Sequence, residues 1–177
     1  MNSLGLVLEH LKAGEIIAYP TEGVWGLGCD PNNAIAIEKL LSLKGRLPEK
    51  GLILIGSKFE HFIEFSYAEK YRDKLMSKWP GHHTWLVPAQ KTINTLIIGN
   101  NDKVALRLSN HETVRKLCDS FNGPIVSTSA NKQGFPTLSS SLEIVECFPE
   151  VRVLDGSLGG YENPSTIQDV VTDIIVR

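Results

Sequence analysis

Apolar residues recur along this 177-residue chain at two different periods. Near the N-terminus Leu4, Val7, Leu8 and Leu11 repeat at helical spacing, with Ser3 placed to cap the start and Gly14 the end. A short apolar run over 16–19 reads as a strand halted by Pro20. The stretch 21–29 reads as a loop. Asp30-Pro31 then reads as the N-cap and first-turn proline of a helix whose buried face is Ile37, Leu40 and Leu41 and which ends near Lys44-Gly45. The run 52–55 predicts a central strand, Ser57-x-x-Glu60 a capping box, and 67–79 a further helical stretch. Strands are predicted over 83–87, 104–108 and 124–127, a helix capped by Asn110 ends near Phe121, and another spans 142–147. Strands over 151–154, 165–171 and 174–176 finish the chain, the last two as an antiparallel hairpin through Thr172-Asp173.

Helical and strand signals alternate at short intervals with no linker, repeat or low-complexity stretch, which predicts an α/β fold: one domain over 1–177 built on a mixed sheet. With 42% hydrophobic and 21% charged residues the balance is that of a globular chain with a sizeable core. No apolar run approaches the roughly 18 residues of a membrane helix. Met1-Asn2-Ser3 leads into an amphipathic pattern without a signal-peptide core, so a cytoplasmic protein with no membrane partner is expected. Cys29, Cys118 and Cys147 are odd in number and widely spaced, as reduced, buried thiols would be.

A formal net charge of −2 argues against a surface built wholly for nucleic acid, but the charges are uneven. Lys39, Lys44, Arg46, Lys50 and Lys58 face only Glu49 in their stretch, whereas acids dominate from Ser139 onward. Lys44-Gly45-Arg46-Leu47-Pro48-Glu49-Lys50-Gly51 places three cations on a loop broken by Gly and Pro after a helix. Ser127-Thr128-Ser129-Ala130-Asn131 follows a short apolar strand and supplies directional hydrogen bonds. Together they read as a nucleotide site. Neither a G-x-x-x-x-G-K-[ST] loop nor a G-x-G-x-x-G after a strand occurs, so side chains must hold the phosphates. The plainer reading of the basic stretch is a solvated helix end, with Lys44 favouring a helix C-terminus. Ligands of open α/β sheets gather beyond strand ends, and there the chain carries Pro20-Thr21-Glu22, Ser127-Thr128-Ser129-Ala130-Asn131 and Asn163-Pro164-Ser165-Thr166.

Pro20-Thr21-Glu22-Gly23-Val24-Trp25-Gly26-Leu27-Gly28-Cys29-Asp30, Lys44-Gly45-Arg46, Ser129-Ala130-Asn131 and Asn163-Pro164-Ser165-Thr166-Ile167, in this order, resemble the YrdC-type (TsaC) threonylcarbamoyl-AMP synthases in their short, single-domain form. The resemblance spans nearly the whole chain and implies a twisted mixed sheet with a large, concave basic cavity. It implies a nucleotidyltransferase that converts L-threonine, bicarbonate and ATP to threonylcarbamoyladenylate and pyrophosphate, for tRNA modification beside the anticodon. ATP, carried as Mg-ATP, would be a substrate, with no protein-held metal. Partners would be the downstream tRNA threonylcarbamoyl transfer proteins and tRNA or double-stranded RNA. By the same resemblance Lys44 and Arg46 would be catalytic; these two with Lys50, Thr84, Ser129, Asn131, Thr137 and Arg177 would line the ATP side. Thr21, Ser127 and Ser165 would line the threonine side, where Arg107 is either a partner of the substrate carboxylate or half of a structural salt bridge. The chain departs from many relatives at His82, in Pro80-Gly81-His82 where they read Pro-Gly-Pro, at Lys50 in place of Asn and at Ile55 in place of His.

Plainer roles exist for the same residues. Thr21 and Ser165 suit turns and strand starts, and Ser129 and Asn131 a local Asx or serine turn. Trp25 and Trp85 suit packing before adenine stacking. His82 and His83, adjacent on a strand, point to opposite faces and do not make a joint metal site. Two other function classes compete with the synthase: a double-stranded RNA or tRNA-binding module using the same basic cavity, and a related protein acting on another carbamoyl or nucleotide ligand.

Overall fold

The computed structural model describes residues 3–177; the reading of Met1 and Asn2 lies outside them. In chain order the elements are α1 (Leu4–Lys12), β1 (Ile17–Pro20), β2 (Trp25–Gly28), α2 (Ala34–Lys44), β3 (Ile53–Gly56), α3 (Arg72–Met76), β4 (His83–Pro88), α4 (Thr95–Ile98), β5 (Lys103–Leu108), α5 (Glu112–Phe121), β6 (Ile125–Ser129), α6 (Ser141–Cys147), β7 (Arg152–Val153) and β8 (Thr166–Asp169). The eight strands form one mixed sheet in the order β7-β1-β2-β6-β3-β5-β4-β8. Pairing is parallel at β7–β1, β3–β5 and β4–β8 and antiparallel elsewhere.

Several ends form as local chemistry dictates. Ser3 accepts from the Leu6 amide to start α1. Gly45 adopts φ 61° after Lys44, the left-handed conformation that lets a helix stop and the chain turn into the basic loop. Other signals are overridden. The cap of α2 is Asn33, whose side chain accepts from the Ala36 amide, while Asp30 forms a local turn by accepting from the Asn32 amide. The expected box at Ser57 and Glu60 does not form: Ser57 Oγ donates to Asp119 and only a 3₁₀ turn, Phe59–Phe62, follows. The span 67–79 holds a 3₁₀ turn (Ala68–Tyr71) and the short α3. His111, whose side chain makes no cap bond, replaces Asn110 ahead of α5. The final hairpin reduces to an antiparallel bridge between Gln168 and Ile175.

One strand, β2, lies inside the expected loop. Its Gly26 and Gly28 sit opposite Tyr19 and Ile17 of β1, and the Tyr19 ring lies against both. A Cβ on Gly28 would fall 2.4 Å from the Val126 carbonyl oxygen and 2.9 Å from Tyr19 Cε1. An alternating Gly pattern that reads as loop is therefore a strand whose missing side chains are replaced by a neighbouring aromatic ring.

The two sheet faces are treated differently, and the difference creates the site. One face is covered along its length by a core including Leu27, Leu54, Trp85, Val87, Leu106 and Val126. On the other, Ile17, Tyr19, Ile55 and Ile125 pack against Val7 and Leu11 of α1 and Val114 and Leu117 of α5. Those helices cover only part of it. The in-register row Ser127, Ile53, Ala105, Leu86 and Asp169, across β6, β3, β5, β4 and β8, stays uncovered and floors a cavity.

Candidate functional site

The cavity on this uncovered face has a volume of about 450 Å3. The loop after β1 brings Thr21 to its wall, the loop after α2 brings Arg46 and Lys50, and β6 brings Ser127 and Ser129. Thr137, Ser165, Arg107 and the last residue, Arg177, complete the sequence-selected residues that line it. Its charge is basic, because Arg46, Lys50, Lys103, Arg107 and Arg177 face only Asp102 and Asp169, and Lys103 is already paired with Asp169. The wall therefore favours an anionic ligand.

Arg46 and Arg177 form the most basic end. Arg46 donates from Nη2 to the Gly51 carbonyl at 2.8 Å, while its Nε is buried without a partner. Arg177 donates from Nε and Nη2 to the Ser165 carbonyl, at 3.3 and 3.1 Å. Burial lowers the pKa of both guanidiniums, and for Arg46 the neighbouring Arg177 adds to the effect. Two partly buried like charges, neither ion-paired among the described residues, are relieved by an anion between them.

Lys44 is not on that wall. It is 2% exposed, and its ammonium donates to the Ser129 carbonyl, to the Asn131 carbonyl at 2.7 Å and to Asn131 Oδ1 at 3.1 Å. All three N–H groups are used by these acceptors, and none is turned to the cavity. Burial, with Arg46 beside it, pushes its pKa down to about 8. Asn131 is likewise occupied, accepting from Ser129 Oγ at 2.7 Å and donating to the Phe135 carbonyl at 2.7 Å, and does not line the cavity. Thr84 is fully buried behind the wall, its hydroxyl 2.7 Å from Ser165 Oγ. Thr21 lines the cavity while donating to the Val24 carbonyl at 2.7 Å, a turn contact. Trp25 and Trp85 belong to the covered core.

Glu22 is the residue that sequence reasoning missed. Its carboxylate is ion-paired with Arg107, accepts from Ser109 Oγ at 2.7 Å and accepts from the Asn110 amide at 3.3 Å. The salt-bridge reading of Arg107 is thus realised. Arg107 is 6% exposed yet lines the cavity, and its Nε is buried without a partner. Burial lowers its pKa while Glu22 opposes the shift. The acidic residue of Pro20-Thr21-Glu22 was visible, but its partners lie more than 80 residues away in sequence. Among the described residues no group of three or more His, Cys, Asp or Glu is arranged to hold a metal ion, and no helix is long and apolar enough to cross a membrane.

Each of the four sequence motifs sends at least one residue to this cavity wall, and comparison with known proteins extends the likeness along the chain. The profile of the Sua5/YciO/YrdC family, described as telomere recombination, matches residues 9–177. The chain is 43% identical to a threonylcarbamoyl-AMP synthase of Photobacterium profundum, over 100% of this chain and 99% of that one. It is 47% identical to the Pseudomonas fluorescens protein of the same name, over 96% and 93%. Among solved structures, P. abyssi Sua5 complexed with L-threonine superimposes with a TM-score of 0.89 at 27% identity, covering 98% of this chain; the present chain spans 53% of that longer protein. With its motifs, its sheet and its near-complete profile match in agreement, the chain belongs to the Sua5/YciO/YrdC family.

Proposed function

We propose that this chain is a threonylcarbamoyl-AMP synthase, an ATP-dependent nucleotidyltransferase. It joins L-threonine, bicarbonate and ATP to give threonylcarbamoyladenylate and pyrophosphate. The observation that carries the reading is one cavity lined both by the cations Arg46, Lys50, Arg107 and Arg177 and by the hydroxyls of Thr21, Ser127 and Ser165, in a chain whose full-length relatives bear that name.

The chemistry asks for positioning and charge neutralisation. The threonine amine and bicarbonate form a carbamate with loss of water; a carbamate oxygen then attacks the α-phosphorus of ATP, and the bond to the β-phosphate oxygen breaks. Negative charge moves toward the departing pyrophosphate, where Arg46, Lys50 and Arg177 stabilise it. No nucleophilic side chain is required. Cys29 and Cys118 suit none: both are fully buried, and burial pushes their thiols well above the ordinary range. Arg107, held by Glu22, turns its remaining N–H groups to the threonine carboxylate, and the Ser127 and Ser165 hydroxyls border the amino-acid end. Lys44 keeps the Ser129–Asn131 turn in place behind the nucleotide.

Magnesium enters with ATP. The adenylate, a reactive acyl phosphate, is consumed by a cytoplasmic transfer system that delivers the threonylcarbamoyl group to adenosine in tRNA, and the chain acts as one domain over 1–177. Pyrophosphate release that depends on both threonine and bicarbonate tests this reading and separates it from an RNA-binding module.

A further inference from the structure

Between β7 and β8 the chain runs from 154 to 165 without helix or strand and delivers Pro164 and Ser165 to the cavity wall. Its ends are anchored: the Leu154 amide donates to the Ala18 carbonyl at 2.8 Å, and Ser165 meets the Thr84 hydroxyl and accepts from Arg177 through its carbonyl. The Gly159 and Tyr161 amides donate to the Thr21 and Glu22 carbonyls, each at 3.0 Å, and His111 Nε2 lies 2.9 Å from the Ser157 carbonyl oxygen. Nearest the cavity, His82 Nε2 lies 2.8 Å from the Asn163 carbonyl oxygen, and the ring stacks on Tyr161 with centroids 4.3 Å apart.

The other nitrogen of His82 meets the core of the site. Nδ1 is 3.0 Å from Arg107 Nη2, the same nitrogen that pairs with Glu22. A guanidinium only donates, so Nδ1 accepts and the imidazole proton resides on Nε2, which donates to Asn163. The partners on both sides select one neutral tautomer. Gly23 gives this contact its room: a Cβ there would fall 2.5 Å from the Asn163 oxygen and 3.0 Å from His82 Cε1.

We propose that His82 is a positioning residue that, as the neutral Nε2–H imidazole, joins Arg107 to the 154–165 segment and thereby sets the two walls of the amino-acid end of the cavity. The proposal rests on the synthase reading, in which Arg107 faces the threonine carboxylate. Protonation at Nδ1 would set an N–H against the Arg107 N–H and break the link. The charged groups facing the ring are Arg107 from β5 and Glu22 from the loop after β1, with Tyr161 the titratable group stacked on it from 154–165. Burial and Arg107 hold its pKa below the ordinary 6.5, against the opposing pull of Glu22 and the Asn163 and Pro164 carbonyls. The link is therefore closed at neutral pH and opens on acidification.

The test is threonine-dependent pyrophosphate release by the full chain at saturating ATP and bicarbonate, read as KM against kcat at pH 7.5 and 6. His82→Ala is expected to raise KM for threonine about tenfold at pH 7.5 with kcat and KM for ATP changed less than about threefold. His82→Gln, which keeps a donor for Asn163 and does not titrate, is expected to bring KM back to within about threefold of wild type and to flatten its rise on acidification. A threonine KM for His82→Ala within about twofold of an active wild type overturns the proposal and leaves the synthase reading standing; a wild type without threonine-dependent release removes that reading instead. Imidazole nitrogen NMR of the wild type decides independently of turnover and of whether the variants fold. The Nε2–H tautomer titrating below 6.5 is expected, and the Nδ1–H tautomer would overturn the link.

Discussion

Lys44 holds Asn131 by two bonds, from its ammonium to the backbone carbonyl at 2.7 Å and to Oδ1 at 3.1 Å. The residues are 87 positions apart. The basic loop and the Ser-rich turn, the two segments that most specify this chain, are therefore one structural unit: α2 ends where its last lysine can cap the carbonyls at the exit of β6. Arg46, two residues on, lines the cavity, which Lys44 does not.

That division predicts different failures for the two cations. Lys44→Ala removes three part-buried bonds and leaves the Asn131 carbonyl without its donor, while Asn131 Oδ1 keeps Ser129 Oγ and the Ser129 carbonyl keeps the Asn131 amide; at a cost of about 1–3 kcal/mol it is expected to lower Tm by several degrees together with activity. Arg46→Ala removes one half-buried bond to Gly51 and is expected to hold Tm within about two degrees while adenylate formation falls at least about tenfold. Thermal unfolding and pyrophosphate release on both proteins check the contrast. Equal Tm losses, or an Arg46→Ala protein with full turnover, would contradict it.

Substrate choice follows from the hydroxyls of the cavity wall. Thr21, Ser127 and Ser165 border it with hydroxyls, so valine, which replaces the substrate hydroxyl with a methyl group, should leave polar groups unpaired at about 1–3 kcal/mol. Activation of valine is expected to be roughly 5- to 150-fold less efficient than that of threonine in kcat/KM. Equal efficiencies would argue against a polar pocket.

Stability should decline on mild acidification. His10, His61, His82 and His83 all have pKa values lowered from 6.5, each chiefly by burial. The unfolded chain therefore binds protons that the folded chain resists, so stability is fully present above about pH 6.5 and falls as pH drops from there toward the folded values. Asp119 and Asp169, whose pKa values are also lowered, likewise contribute while deprotonated, as anions, and lose their effect only at more acid pH. Urea midpoints at pH 7.5, 6.5 and 5.5 are expected to fall only over the second interval; a constant midpoint would contradict the assignment.

The parts of the fold that were legible in the sequence are those decided locally. Ser3 before Leu4, Gly45 after Lys44 and the alternating strand of β5 need only their neighbours. Strand β2 was hidden because Gly26 and Gly28 carry no side chains to alternate, and only Tyr19 across the hairpin gives them a packed surface. The span 67–79 has helical composition but breaks into short turns, with Lys70 over the Tyr67 ring and Trp79 Nε1 bonded to the His83 carbonyl. At the site, residues chosen by motif mostly reached the cavity wall. The exceptions, Lys44, Thr84 and Asn131, were turned away by partners that no local spacing reveals, and Glu22 acquired its role from β5 and the loop that follows it. His82 stood out as a departure from the Pro-Gly-Pro of many relatives and as a neighbour of His83, neither of which reveals its link to Asn163, 81 positions away.

The most direct test of the account is pyrophosphate release by the purified chain with ATP, measured with threonine alone, with bicarbonate alone and with both. Release only when both are present, accompanied by threonylcarbamoyladenylate in the products, is the predicted result. Release independent of threonine, or none under any of the three conditions from a folded protein, would contradict it.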